Sequence, residues 1–310
     1  MSLLKGIELR MNHGLLGRPP EESAKPEQGI NHLSRSGLVR ECANPECRSS
    51  WLQLFRKRGR PIFEGTWTCS PDCTESQVGA AIRRELSGWA PAEQTHQHRI
   101  PIGLLMLQNG WITSDQLRRA VQAQKKGGAL RIGEWLMRQN AVDEAIVSRA
   151  LCLQWGCPLL SVDGFHSSAS SALMPLLFNE LFGALPIRVA AERILYLGFE
   201  ERIDPVLAFA LQRMTGLRVE TGIVASTAFK QASTQISAVK FPSIQFVDAV
   251  SSSSAAHVLA RSIERFQPAA SRLERVHQFL WLRMFSILQG SAVPQVSSVS
   301  DVVCRIGNPD

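Results

Sequence analysis

Four cysteines near the amino-terminal end have the types and spacing of a metal site. Cys42-Ala-Asn-Pro-Glu-Cys47 and Cys69-Ser-Pro-Asp-Cys73 are two short-spaced pairs, each with a proline in its loop, separated by 21 residues. Tetrahedral thiolate coordination needs two such turns brought together. Trp51, Leu52, Phe55, Ile62, Phe63 and Trp67 lie between the pairs and supply a miniature core. So few residues hold a fold only when something staples them. A structural zinc ion on Cys42, Cys47, Cys69 and Cys73 is that staple; the alternative leaves the cysteines unmetallated. Four thiolates leave no open coordination position, so the chemistry expected here is structural rather than catalytic. The chain has seven cysteines, an odd number, and no export signal, which makes disulfides the poorer explanation. Cys152 falls at a helical core position and Cys157 in the turn before Pro158; both read as buried or half-buried thiols.

The order turn, hairpin, turn and helix (Glu75 to Leu86) resembles a treble-clef zinc finger, with both cysteine spacings one residue longer than the usual two. Arg56-Lys-Arg-Gly-Arg60 would sit between the zinc turns. Such a run either contacts phosphates or forms a solvated hairpin tip.

The second candidate site lies in an internal repeat. Pro101-Ile-Gly-Leu-Leu-Met-Leu-Gln-Asn-Gly-Trp-Ile aligns with Arg131-Ile-Gly-Glu-Trp-Leu-Met-Arg-Gln-Asn-Ala-Val at an offset of 30 residues. Ile102/Ile132, Gly103/Gly133, Met106/Leu136, Ile112/Val142, Leu117/Val147, Val121/Leu151 and Gln124/Gln154 correspond, more than composition gives by chance. Each unit reads as a short helix, a tight turn and a second helix. Gly110 and its counterpart Asn140 are the residues best suited to a left-handed helix end. Thr113 with Gln116 makes a capping box for the following helix, and Asp143 caps its equivalent. Residues 117 and 121, and 147 and 151, then face one core at i, i+4 spacing.

This duplicated pattern resembles the MshE N-terminal domain, found at the front of type II secretion and type IV pilus assembly ATPases of bacteria and in free-standing regulators. The family pattern is Arg-Leu-Gly, two apolar positions, Gly, two apolar positions, then Leu, Leu and Gln, used twice. The resemblance implies that a cyclic di-GMP ligand is surrounded by the Arg, the Gly backbone, the apolar stripe and the Gln. Carried onto this chain, the binding set is Arg99, Ile102, Gly103, Gln124, Arg131, Ile132, Gly133 and Gln154. The chemistry fits: backbone N–H groups at a glycine-led helix start approach a phosphate, and an Arg fork reaches guanine O6 and N7. The second unit keeps Arg131, Ile132, Gly133 and Gln154 and replaces the turn Gly by Asn140. The first unit has Pro101 where the pattern has Arg, with Arg99 two residues earlier. A helix over Leu173–Leu181, a hairpin from Ala184 to Phe199, a helix capped by Asp204, a strand from Leu217 to Val224 and a helix opened by Ser226 extend the resemblance to about Ala232.

These sites need positioning elements in an expected α+β order: a treble-clef-like zinc module, duplicated helical hairpins packed with a small α/β subdomain, then C-terminal helices. The expected boundaries are a disordered leader at 1–38, the four-cysteine module at 39–90, the repeat-bearing domain at 99–237, a helical segment at 250–290 and a flexible tail at 291–310. Two amphipathic helices, about 253–266 and 269–288 with Pro268 between them, are expected in that segment, to pack on the same chain or to meet a partner. Gly128-Ala-Leu-Arg-Ile-Gly133 has P-loop glycine spacing, but Glu134-Trp135 stands where Lys-Ser/Thr must be. The ATPase domain is therefore expected to be absent. His96 and His98 read as polar linker, and no Ser/His/Asp or Cys/His constellation is recognisable, so an enzyme is not expected.

With 45% hydrophobic and 20% charged residues, the 310-residue chain has the composition of a folded protein. Its formal charge of +7, from 34 basic against 27 acidic residues, does not require a nucleic-acid coat. Phe279–Leu288, interrupted by Arg283, is too short to span a membrane, and no secretory signal opens the chain, so a cytoplasmic protein is expected. The leading reading is a non-enzymatic regulator or adaptor that senses cyclic di-GMP or contacts secretion or pilus machinery. The alternative is a zinc-finger scaffold with a degenerate nucleotide site, engaging protein or nucleic acid, the latter through Arg56–Arg60.

Overall fold

The computed structural model describes residues 42–47, 61–87, 99–127, 130–288 and 290–307, all within the unit Ser36–Asp310. Glu64 and Gly65, at φ 47° and 76°, turn β1 (Ile62–Phe63) back on β2 (Thr66–Trp67). Two positive φ values match the natural twist of a tight hairpin, and glycine takes one at little cost. Ser70 Oγ then accepts from Cys73 N–H at 3.3 Å and caps α1 (Pro71–Ser87), where proline at the first position loses a donor the helix does not use.

The repeat follows as α2 (Ile102–Gln108), α3 (Ser114–Gly127), α4 (Ile132–Arg138) and α5 (Glu144–Trp155). Gly110 and Asn140 both sit at positive φ, 71° and 50°. The backbone closes alike after each: Trp111 N–H donates to Met106 O and Ala141 N–H to Leu136 O, the bond that ends a helix in a Schellman turn. Thr113 and Gln116 exchange backbone-to-side-chain bonds of 2.7 and 3.2 Å, and Asp143 accepts from Ile146 N–H at 2.9 Å. Met106, Ile112, Ala120, Leu136 and Ala150 form the shared core.

A small mixed layer comes next: α6 (Ser167–Ser171), α7 (Leu176–Phe182), β3 (Ala184–Ala190), β4 (Ile194–Phe199), α8 (Pro205–Thr215), β5 (Arg218–Ile223) and α9 (Ser226–Ser237). β3 and β4 are antiparallel, whereas β4 and β5 are parallel with α8 as the crossover. Asp204 caps α8 through Leu207 N–H at 2.9 Å. Gly222 on β5 is obligatory, because a Cβ there would stand 2.6 Å from Pro158 O.

The chain then forms β6 (Ser243–Ala249), α10 (Ser252–Phe266), β7 (Ala270–Val276), β8 (Phe279–Phe285) and β9 (Val299–Ile306), in a sheet of order β6-β9-β8-β7. The segment 269–288, expected as a helix, is therefore the β7–β8 hairpin, and much of the expected flexible tail is β9. Both faces of this sheet are covered. Leu273, Leu280 and Val302 pack with α1 and α10, whereas Val276, Trp281 and Val303 join the core that holds Phe178 and Leu207. With apolar residues on both sides, the strands lack an alternating pattern and mimic helical spacing.

The cysteine module does not stand alone as expected. Phe63, Val78 and Ile82 share one core with Leu259, Ile263 and Leu282. β1 fastens to the β7 edge by Ile62 N–H to Pro268 O (3.0 Å), Glu64 N–H to Ser271 O (2.8 Å) and Ser271 Oγ–H to Ile62 O (2.9 Å). The sheet's other face is pinned by Arg283, 1% exposed, which forms two 2.8 Å bonds with Asp301 and donates to Ala172 O and Leu173 O. All five guanidinium donors cannot be left dry, and this set satisfies the buried charge. No helix among the described residues is long and apolar enough to cross a membrane.

Candidate nucleotide site and cysteine cluster

The glycines that open each unit are there for close packing. A Cβ on Gly103 would meet Leu117 Cδ1 at 2.6 Å, and one on Gly133 would meet Val147 Cγ1 at 3.0 Å. α2 thus lies tightly on α3, and α4 on α5, with Ile102 and Ile132 half-buried against the same core. The glutamines that end each unit cross over. Gln124 Nε2 donates to Leu130 O at 3.0 Å, while Gln154 Nε2 donates to Ile100 O at 2.8 Å. Each carbonyl immediately precedes the first motif position of the other unit. Gln124 is therefore brought to Arg131, Ile132 and Gly133, and Gln154 to Pro101, Ile102 and Gly103.

The two starts differ in their polar groups. Arg131 N–H donates to Glu134 Oε2 at 2.9 Å, closing a backbone donor that the helix cannot use. Its guanidinium, 67% exposed, is ion-paired with Glu201. Pro101 has no N–H to satisfy, and the residue matching Glu134 is Leu104, which is exposed. Arg99 lies with its guanidinium 3.2 Å over the centre of the Trp155 ring. Burial, and then the charge of Arg202, pulls its pKa below the ordinary guanidinium value. Arg99 and Trp155 line a cleft of about 340 Å³ with Gly156, Pro158, Ile203 and Glu220. Trp155 Nε1 donates to Glu201 O at 3.1 Å, so one residue of the β4–α8 connection meets both ends of unit two. From the sequence Glu134 is read only as the residue in place of a P-loop lysine, and its bond to Arg131 N–H is a finding of the structure. Glu201 was not legible either, because its partners lie 46 and 70 residues back in sequence.

In the cysteine cluster the Sγ atoms of Cys42, Cys47, Cys69 and Cys73 all lie within 4.8 Å of one another. Cys47 and Cys69 are 3.4 Å apart, and Cys69 and Cys73 3.7 Å. Ala43 N–H donates to Trp67 O at 2.9 Å and holds the first turn against the hairpin, with Ile62 and Trp67 walling the sulfurs. Burial raises the Cys42 thiol, and burial with the neighbouring thiols pushes Cys69 up to about 12. A divalent cation among the sulfurs would reverse this cost, since it binds the thiolate. None of the seven cysteines, all of them among the described residues, is joined in a disulfide. Burial also raises Cys152, to about 11, and Cys157. Trp51, Leu52, Phe55, the Arg56–Arg60 run, His96 and His98 lie outside the described residues.

No family model matches the chain. Bacteriophage adsorption protein B of Escherichia coli is 32% identical over 125 residues, covering 40% of this chain and 16% of that protein. Type IV pilus assembly ATPase PilB of Myxococcus xanthus is 27% identical over 148 residues, covering 46% of this chain and 25% of the ATPase. The chain thus spans a quarter or less of the length of these relatives. Among solved structures, that of MshE with cdg matches at 21% identity and a TM-score of 0.37, covering 44% of this chain and 99% of that one.

Proposed function

We propose that this chain carries an MshE/GspE N-terminal-like domain, the part it shares with the type IV pilus assembly ATPase PilB, and that it is a non-enzymatic cytoplasmic regulator or adaptor that binds cyclic di-GMP and works with type II secretion or type IV pilus machinery. The observation that carries this reading is the reciprocal glutamine exchange, Gln124 to Leu130 O and Gln154 to Ile100 O. It sets the two motif starts in equivalent backbone surroundings, and a cyclic dinucleotide is itself two equal halves. Arg131 supplies an exposed guanidinium of the kind that reads guanine O6 and N7. Pro101 supplies none, so one half of the ligand is held more weakly than the other. Calorimetric titration with cyclic di-GMP tests the reading: wild-type protein should bind, and Arg131→Ala should bind about 10- to 100-fold more weakly. Equal binding by both, or none by the wild type, removes it.

The sulfur cluster supports a second component of the same proposal, a structural zinc on Cys42, Cys47, Cys69 and Cys73. Zinc there would hold the first turn, the hairpin and the start of α1 together, and through β1 it would secure the β7 edge of the C-terminal sheet. Elemental analysis should find about one zinc per chain in protein purified without chelator. Cys42→Ser or Cys69→Ser should lose the metal and lower the thermal midpoint.

A further inference from the structure

We infer that Glu201 is an internal competitor for the guanine-reading fork of Arg131 and sets the affinity of that site; the inference rests on the nucleotide reading above. A carboxylate offers two in-plane acceptors to a guanidinium, as the O6/N7 edge of guanine does. Arg131 cannot give the same donors to both.

The geometry assigns this role to Glu201 rather than to its neighbour. The Glu200 carboxylate is engaged elsewhere, accepting from Ser226 Oγ–H at 2.6 Å with Lys230 Nζ at 3.6 Å. Glu201 is turned towards Arg131, and its backbone is fixed by Trp155 Nε1–H at 3.1 Å. Trp155 in turn carries Arg99 on its ring, and the next residue but one from Trp155 is Cys157 in the same turn. The Glu201 backbone is thus held by the end of α5, one residue beyond Gln154, while its carboxylate meets Arg131 at the start of α4, so both ends of unit two define its place. It is 33% exposed against 67% for Arg131, which leaves the arginine free to swing away once a better acceptor arrives. Arrival of guanine would release Glu201 and, with it, the side-chain tie between α4 and the β4–α8 connection.

The test is calorimetry with cyclic di-GMP on wild type, Glu201→Gln, Arg131→Ala and the double variant, with circular dichroism as the check of folding. Glutamine keeps size and backbone contact while removing the charge. Glu201→Gln should bind about two- to fivefold more tightly, the scale of an exposed ion pair, and the gain should vanish in the Arg131→Ala background. Wild-type binding that depends on Arg131 but is unchanged or weakened by Glu201→Gln overturns the competitor role and leaves the nucleotide reading intact. No binding by either the wild type or Glu201→Gln overturns both.

Discussion

At the start of the first helical hairpin the chain presents Pro101, with no backbone donor, and an exposed Leu104; at the start of the second it presents Arg131, bonded to Glu134 and ion-paired with Glu201. Behind these starts the hairpins agree closely. Gly103 and Gly133 pack on Leu117 and Val147, Met106 and Leu136 are fully buried, as are Ala120 and Ala150, and Gln124 and Gln154 make matching bonds. Inward positions cannot drift far, because each touches several neighbours at close-packed density. Outward positions carry no such constraint. The duplicated fold is therefore retained in both halves while an arginine stands at the first motif position of only one, and a missing N–H at Pro101 comes with a missing acceptor at residue 104.

The asymmetry is broken most strongly at Arg131. Arg131→Ala should weaken cyclic di-GMP binding about 10- to 100-fold, the value of one bidentate fork on guanine, whereas Pro101→Ala should leave it within about twofold. Calorimetry on the two variants decides whether the units are unequal. Pro101→Arg should strengthen binding, by about tenfold at most for a fork placed without designed support. It also introduces a backbone N–H that faces Leu104, so Pro101→Arg with Leu104→Glu should bind better than the single variant by restoring the capping pair seen at Arg131 and Glu134. Arginine at 101 with no gain in either form would mean that the first start does not face the ligand.

What was legible in the sequence was what depends on neighbours a few residues away. Gly110, Thr113 with Gln116, Asp143 and Asp204 were read correctly because a helix cap is specified by its own turn. The C-terminal sheet was not legible. β9 pairs in parallel with β6, which ends 50 residues earlier at Ala249, and nothing in Val299–Ile306 names that partner. The β7–β8 turn is made by His277 at φ 52°, a residue without the turn signal of glycine or asparagine. Burial on both faces then erased the alternation that marks a strand. The same holds at the candidate site: Arg131 was recognisable from its motif, but Glu201 reaches it only through the folded β4–α8 connection.

The glutamine exchange should prove symmetric where the starts are not. Gln124→Ala and Gln154→Ala each remove one side-chain donor to a backbone carbonyl, so each should cost about 1 kcal/mol of stability, and the two losses should agree within about 0.5 kcal/mol. Urea unfolding measures both. A large inequality would show that one crossing holds the hairpins together and the other is incidental.

The smallest effect concerns the turns. Gly110 and Asn140 do the same work at φ 71° and 50°, but asparagine carries a Cβ into a region where it strains the backbone. The Asn140 side chain is exposed and takes no hydrogen bond among the described residues that would offset that strain. Nothing lies within 4 Å of where a Cβ would stand on Gly110, so the contrast between the two turns is one of backbone conformation and not of space. Glycine at 140 relieves the strain in the folded state but gives the unfolded chain more conformations to lose. The first term should win by a few tenths of a kcal/mol, up to about 0.5, because asparagine is the non-glycine residue best tolerated there. Gly110→Asn should destabilise by a similar amount. Both are read as shifts of the urea midpoint at constant slope, and a loss of stability in Asn140→Gly would show that the second turn is held by its side chain and is not a copy of the first.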